Sequence, residues 1–392
     1  MSYDLAAPSW GQEELDALQT VMDSGFFTMG PKVAEFERKF ADYHGKKYGI
    51  MVNSGSSANL ISVAALFFTK ENPLRQGDEV LVPAISWATT YHPLQQYGLK
   101  VRFVDVELES LNMDVAQIER AITPNTKMIL GVSILGNPAA LDVMRSLADK
   151  HGLYFMEDNC ESMDAELNGK KAGTFGDLNT FSFFFSHHIS TMEGGMILTD
   201  SQELYELCRS LRAHGWTRDL PEDSILFERS GDDLFEAYRF ILPGYNVRPT
   251  ELNAAAGLEQ LKKLPDFTKA RRKNLKLFQS LFEHDDRFII QKENGSSSCF
   301  CFTIILNPEK KLDRKTIFKA LSDNKIGFRI ITGGNFLRHD VLKYYDYSEA
   351  APIVNANIAH DYGFFVGNHP FDLSSELELL YQVLDRAAQE SM

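Results

Sequence analysis

The sequence predicts an α/β fold with a large domain on a mixed, mostly parallel sheet, followed by a smaller C-terminal α+β domain. Three observations predict it. Strand-like and helix-like patterns alternate from Tyr48 to Thr199. The texture then changes, and beyond residue 255 the chain opens a long, basic helical stretch before its next strand. At 392 residues the chain is also too long for one typical domain. The expected division is 1–255 for the large domain, including an N-terminal helical segment, and 256–392 for the small one.

Taken in order, Leu15, Leu18 and Met22 recur at helical spacing and predict a first amphipathic helix. Pro31 opens a second, with Val33, Phe36 and Phe40 on one face and Gly45 closing it. Strands are expected at Tyr48–Val52, Glu79–Pro83, 101–106, 128–134, 153–157, 179–184 and Gly195–Thr199. Helical stretches such as 58–68 and 141–150 separate several of them. In the C-terminal part, 258–281 is mostly helical, with Pro265 predicting a break or kink. A strand at 299–306, a helix at 314–322, a strand near 328–331 and a final helix from Ser375 complete the small domain. Cys299 and Cys301 alternate with Phe300 and Phe302, which places the two thiols on one strand face.

A hydrophobic fraction of 44% is ordinary for a globular protein with sizeable cores. The net charge of −14 argues against a nucleic-acid-binding surface, though a pocket can still be locally positive. No apolar run approaches the roughly 20 residues of a membrane span. The start, MSYDLAAPSW, lacks the charged and apolar regions of a secretory signal. Four cysteines in a chain this long do not make a disulfide framework. The expected location is the cytoplasm, with no membrane or nucleic-acid partner.

Four stretches carry chemistry. The first, Asn53-Ser54-Gly55-Ser56-Ser57-Ala58, joins a buried strand to a helix. Small residues and free helix N–H groups suit an anion such as phosphate; an ordinary serine-capped helix start would look the same. The second follows the strand Glu79–Pro83 and contains Trp87, whose indole can stack on a planar ligand or fill the core. The third ends an apolar strand in Glu157 and Asp158, with Glu161 just beyond. A carboxylate there can keep a ring nitrogen protonated, or simply be solvated. The fourth runs from Phe181-Ser182 through Phe183 to Phe185, then Ser186-His187-His188 and Glu193-Gly194-Gly195. Histidine is a base suited to neutral pH, and adjacent residues of an extended chain point apart, so at most one should face a site. A third ligand at metal-site spacing is missing.

These stretches, in this order, resemble the sugar aminotransferases of the fold-type I pyridoxal phosphate (PLP) class, the DegT/StrS-like family, along essentially the whole chain. The resemblance implies that Gly55, Ser56, Ser57 and Ser182 hold the phosphate. It implies that Trp87 stacks on the pyridine, that Asp158 pairs with its nitrogen, and that Glu161 contacts the ring hydroxyl. Gly244-Tyr245-Asn246-Val247-Arg248 resembles an element whose Asn, here Asn246, reaches the phosphate of a partner subunit, so a homodimer with shared sites is implied. The departure lies at the cofactor lysine. The family pattern Ser-Phe-x-x-x-Lys falls on Ser182-Phe183 and His187, and no lysine occurs between Lys171 and Lys262. Histidine forms no Schiff base, so PLP or its amine form (PMP) is expected to be held non-covalently.

Histidine in this place resembles the family's 3-dehydratases. Their implied reaction uses glutamate as amino donor and removes the 3-hydroxyl of a nucleotide-linked 4-keto-6-deoxy sugar, with GDP-4-keto-6-deoxy-D-mannose the implied substrate, in the making of 3,6-dideoxysugars for lipopolysaccharide. His187 would be the catalytic base, and His214, Arg218 and Arg329 would contact substrate or glutamate. Two other readings stay open: an aminotransferase that uses His187 as its proton carrier, and a non-catalytic protein that binds the cofactor or the sugar nucleotide. Related sugar dehydrases use an iron–sulfur cluster held by cysteines, but here no cysteine follows Cys301, so a cluster is not expected.

Overall fold

The computed structural model describes residues 2–391. It opens with helix α1 (Gln12–Ser24) and helix α2 (Pro31–His44). Proline at the first position of α2 and Gly45 at a φ of 68° set that helix's ends. The Glu251 carboxylate also caps α2, accepting the N–H groups of Gly30, Lys32 and Val33 at 2.9 Å. Helix α1 forms as the pattern predicts, but the apolar residues behind that prediction are not its buried face. Leu15 and Met22 are more than half exposed, while Glu14 and Val21 are buried.

The chain then alternates. Strands β1 (Tyr48–Val52), β2 (Glu79–Pro83), β3 (Lys100–Val104), β4 (Thr126–Val132) and β5 (Tyr154–Asp158) are separated by helices α3 (Gly55–Leu66), α4 (Ala88–Gln96), α5 (Val115–Ala121) and α6 (Leu141–His151). A small hairpin, β6 (Glu166–Leu167) and β7 (Lys170–Lys171), precedes β8 (Leu178–Ser182) and β9 (Gly195–Thr199). Helices α7 (Gln202–Arg212) and α8 (Asp233–Glu236) follow. One sheet takes the order β1-β9-β8-β5-β4-β2-β3-β13, parallel except where β9 meets β1 and β8. Its last strand, β13 (Tyr347–Glu349), comes from the C-terminal part and lies parallel to β3.

Helix α9 (Glu251–Phe282) runs unbroken across the expected domain boundary and through Pro265, so proline does not end the helix. A four-stranded sheet, β10 (Phe288–Ile290), β11 (Cys301–Leu306), β14 (Gly363–Gly367) and β12 (Phe328–Arg329), packs with α10 (Arg314–Asp323) and α12 (Ser374–Ser391). Helix α11 (Asn355–Tyr362) is tied back to the large sheet by Asp105, which accepts the N–H groups of Val354, Asn355 and Ala356. Cys299 and Cys301 do not share a strand face. Cys299 precedes β11 with a φ of 43°, and the two thiols join different hydrophobic cores. All four cysteines are free.

Four strand predictions run past the observed C-terminal end; β3 stops at Val104 rather than at residue 106. Strand β8 stops at Ser182, leaving 183–190 to turn back on itself. Strand β4 stops at Val132, after which Leu135 takes a φ of 55°. Strand β12 is only two residues long.

Candidate active site

The carboxyl ends of β5 and β8 and the turn from β1 into α3 converge, which is where open parallel sheets place ligands. Asp158, only 5% exposed, ends β5. Its Oδ2 accepts from Asn59 Nδ2 and Thr90 Oγ1, both at 2.8 Å, and its Oδ1 accepts the Cys160 N–H at 3.2 Å. Asn59 is itself held by Thr180 Oγ1, and Thr90 by Ser86 Oγ. The carboxylate therefore has a fixed orientation, supplied from α3, α4 and β8. Glu157, its neighbour, faces the other way and accepts from the N–H groups of Gly173, Phe175 and Gly176, so it shapes a loop.

Ser54 caps α3 by accepting the Ser57 N–H at 3.0 Å. The N–H groups of Gly55 and Ser56 make no hydrogen bond among the described residues. Gly55 is needed for closeness: a Cβ there would lie 2.5 Å from Ser182 Cβ and 2.9 Å from Cys160 Sγ. Two free helix N–H groups thus stand beside the Ser182 side chain. Ser56 Oγ is committed to Thr89 Oγ1 of α4, and Ser57 Oγ to Asn53 Oδ1 within the turn. Trp87 caps α4 with its side chain 61% exposed, so it is not a core residue and its indole is available to a ligand.

His187 and His188 sit in the turn after β8 rather than on an extended strand, and both approach Phe300. His187 Nδ1 makes a long contact of 3.4 Å to Ser182 O, which favours the proton on Nδ1 and leaves Nε2 free to accept one. Burial pulls its pKa down to about 4; Ser182 O and Asp158 work against that shift and Arg271 adds to it. At neutral pH the ring is an uncharged base. His188 is fully buried, with Nε2 at 3.3 Å from Ser298 O and Nδ1 without a partner among the described residues. Burial pushes its pKa well down, so it stays neutral.

Glu161 Oε2 accepts the Leu135 N–H at 2.9 Å. Burial raises its pKa to about 7, with the Asp158 charge adding to the shift and the Leu135 bond opposing it. Near neutrality it can carry a proton and donate it to an anionic oxygen.

Among the described residues, none of the remaining sequence-selected ones bonds the side chains just described, though the Val247 carbonyl next to Asn246 accepts the Asn53 N–H at 3.0 Å. His214 is exposed, at a φ of 64°, and its N–H donates to Tyr245 O. Arg218 is exposed and stacks on Trp216 at 4.1 Å. Asn246 is exposed and accepts from Arg248 Nε at 3.0 Å. Arg329 is exposed and bonds the Phe328 carbonyl. Asn59, Thr90 and Phe300 were not foreseen. Asn59 lies one turn into α3 and Thr90 within the first turn of α4, where nothing in the local sequence marks a polar residue as supporting another element. Among the described residues no group of three or more His, Cys, Asp or Glu gathers as metal ligands, and no helix is long and apolar enough to cross a membrane.

Free N–H groups at the Gly55 cradle, an oriented buried carboxylate and an open indole are what a phosphorylated pyridine requires, so the residues present fit the implied cofactor. Fold and site define the aminotransferase-fold class of PLP proteins. Residues 8–370 match the model of the DegT/DnrJ/EryC1/StrS aminotransferase family, and the chain belongs to it. A curated relative, the GDP-4-keto-6-deoxy-D-mannose 3-dehydratase of Yersinia pseudotuberculosis, is 49% identical over 388 residues, covering 98% of this chain and 99% of that protein. The E. coli GDP-4-keto-6-deoxy-D-mannose-3-dehydratase solved with bound hydrated PLP superposes with a TM-score of 0.96 at 47% identity, covering 98% of this chain and 99% of the other. A GDP-4-keto-6-deoxymannose-3-dehydratase with a trapped PLP–glutamate geminal diamine gives a TM-score of 0.96 at 48% identity, covering 97% of this chain and 100% of the other.

Proposed function

We propose that this chain is a PLP/PMP-dependent 3-dehydratase of GDP-4-keto-6-deoxy-D-mannose, with glutamate as amino donor, in the biosynthesis of a 3,6-dideoxysugar. The observation that carries the reading is His187, a neutral base beside Asp158 where relatives of the aminotransferase kind have a lysine. Near-full-length identity to enzymes named for this reaction supports the substrate.

The cofactor, when bound, supplies an amine and a protonated ring that withdraws electrons from the reacting carbon. Asp158 keeps the ring nitrogen protonated, and its bonds to Asn59 and Thr90 hold it in line. The Gly55 and Ser56 N–H groups and Ser182 take the phosphate, with Ser57 shaping the turn. Trp87 supplies a flat wall. Glu161, protonated near neutrality, donates to the ring oxygen. His187 Nε2 would take a proton from the amine-bearing carbon and deliver it to the C3 hydroxyl, which would leave as water as its C–O bond breaks, so one imidazole serves as base and then acid. A lysine in this place would be a stronger base with a longer reach, suited to returning the proton to C4. Histidine leaves elimination as the easier outcome.

The active form is read as a homodimer in the cytoplasm, with Asn246 reaching the partner's phosphate site, His214 and Arg218 contacting substrate, and Arg329 a candidate contact for the glutamate carboxylate. Phe26, Phe27, Phe184, Phe185 and Met192, each more than 40% exposed on a single chain, support a covering partner. Nitrogen accounting tests the reaction. With nitrogen-labelled glutamate, the expected products are labelled ammonia and an unlabelled 3-deoxy sugar nucleotide, with deuterium entering at C3 in heavy water. Label retained on a sugar that keeps its 3-hydroxyl would make the chain an aminotransferase instead.

A further inference from the structure

Phe300 reaches the site from just ahead of β11, and its backbone is gripped at both ends. Its N–H donates to Leu135 O at 3.0 Å, and its carbonyl accepts from Arg271 Nη1 at 3.0 Å. Gly136 presses against it so closely that a Cβ there would lie 2.5 Å from the Phe300 nitrogen. The half-buried ring stands edge-on to His187, with centroids 5.2 Å apart and planes at 87°, and lies 6.0 Å from the ring of His188. Arg271 is itself only 3% exposed, also donates to the Asn368 carbonyl, and has an Nε without a partner among the described residues. A buried guanidinium that meets only carbonyls is a costly way to anchor a loop, so its place behind the histidine pair calls for a reason beyond packing.

The imidazole of His187 needs such an anchor. A histidine ring turns readily about its last side-chain bond, and the one hydrogen bond that orients it, at 3.4 Å, is too long to hold it alone. We propose that Phe300, clamped by Arg271, is a positioning residue for His187. It fixes the imidazole plane so that Nδ1 stays on Ser182 O and Nε2 faces the cleft, and it keeps water off the far side of the ring. The proposal rests on His187 being the proton carrier. The charged and titratable groups that face His187 are Asp158 from β5, Arg271 from α9 and the adjacent His188. Burial and Arg271 favour the neutral ring and Asp158 the charged one, so admitting water favours protonation.

The test is Phe300→Leu in the PLP-loaded enzyme, with Phe300→Met as a second truncation that keeps more volume. kcat on the 4-keto sugar nucleotide should fall by about 10- to 100-fold, with KM and cofactor affinity within about twofold. Nitrogen-15 NMR of the His187 ring should show both tautomers and a titration raised by roughly one pH unit. An unchanged His187 titration and tautomer in a folded variant, or a loss of rate that follows loss of cofactor, would overturn the proposal. Failure of the underlying reading looks different: a His187→Asn enzyme with full activity removes the base itself, whatever Phe300→Leu does.

Discussion

Glu161 Oε2 accepts the Leu135 N–H at 2.9 Å, joining the loop after β5 to a turn in which Leu135 takes a φ of 55°. The residue that the family resemblance sets against the cofactor ring is thereby also a structural strut. Because burial raises its pKa from 4.5 to about 7, the folded state prefers the protonated form. Its contribution to stability is full below about pH 4.5 and is lost as pH rises through 7. Glu161→Gln should flatten that dependence, making the cofactor-free variant more stable than the parent by about 1–3 kcal/mol above pH 7. Urea unfolding at pH 5 and pH 8 measures it; equal pH dependence in both proteins refutes the assignment.

His187→Asn should keep cofactor binding and lose turnover by about 10²–10⁴-fold, because the base is gone and the phosphate and ring contacts remain. Absorbance titration with PLP and product assays separate the two effects. Borohydride reduction followed by denaturation should leave the chain unlabelled, since no lysine lies between Lys171 and Lys262. Reduced cofactor on any lysine contradicts this.

Gly55→Ala puts a methyl group 2.5 Å from Ser182 Cβ, and neither atom can swing away. Overpacking of this kind costs about 1–3 kcal/mol, so Tm should fall by several degrees. Phosphate affinity should suffer as well, with the PLP Kd rising about tenfold, an energy of about 1.4 kcal/mol. A variant with parental Tm and Kd would mean that α3 has room to shift.

Shared active sites predict complementation. Asn246→Asp and His187→Asn homodimers should each be nearly inactive. Mixing them with subunit exchange should restore activity, because one site of the heterodimer combines intact residues from both chains. No recovery, with exchange verified by mass, would place Asn246 in its own subunit's site.

Much of the architecture was legible because β1 to β5, β8 and β9 follow local rules, whereas the short hairpin β6–β7 carried no strand pattern. Strand and helix periodicities alternate, Ser54 caps α3, and Pro31 and Gly45 bracket α2. The motif positions Gly55, Asp158, Ser182 and His187 were readable too, since each lies at or just beyond a strand end where the local pattern changes. Tertiary structure alone decided the rest, because those features depend on residues far apart in sequence. Leu15 and Met22 have the spacing of a buried face, yet α1 is laid down with Glu14 inward on Gln260 and Lys263 of α9. Trp87, at the cap of α4, lies outside the core, and Cys299 leaves the strand face of Cys301 because its backbone enters the left-handed region. The support of Asp158 by Asn59 and Thr90, and the meeting of Phe300 with His187, bring together groups 68 to 113 residues apart. No local pattern encodes them, because only the folded sheet brings α3, α4, β5 and the approach to β11 to one point.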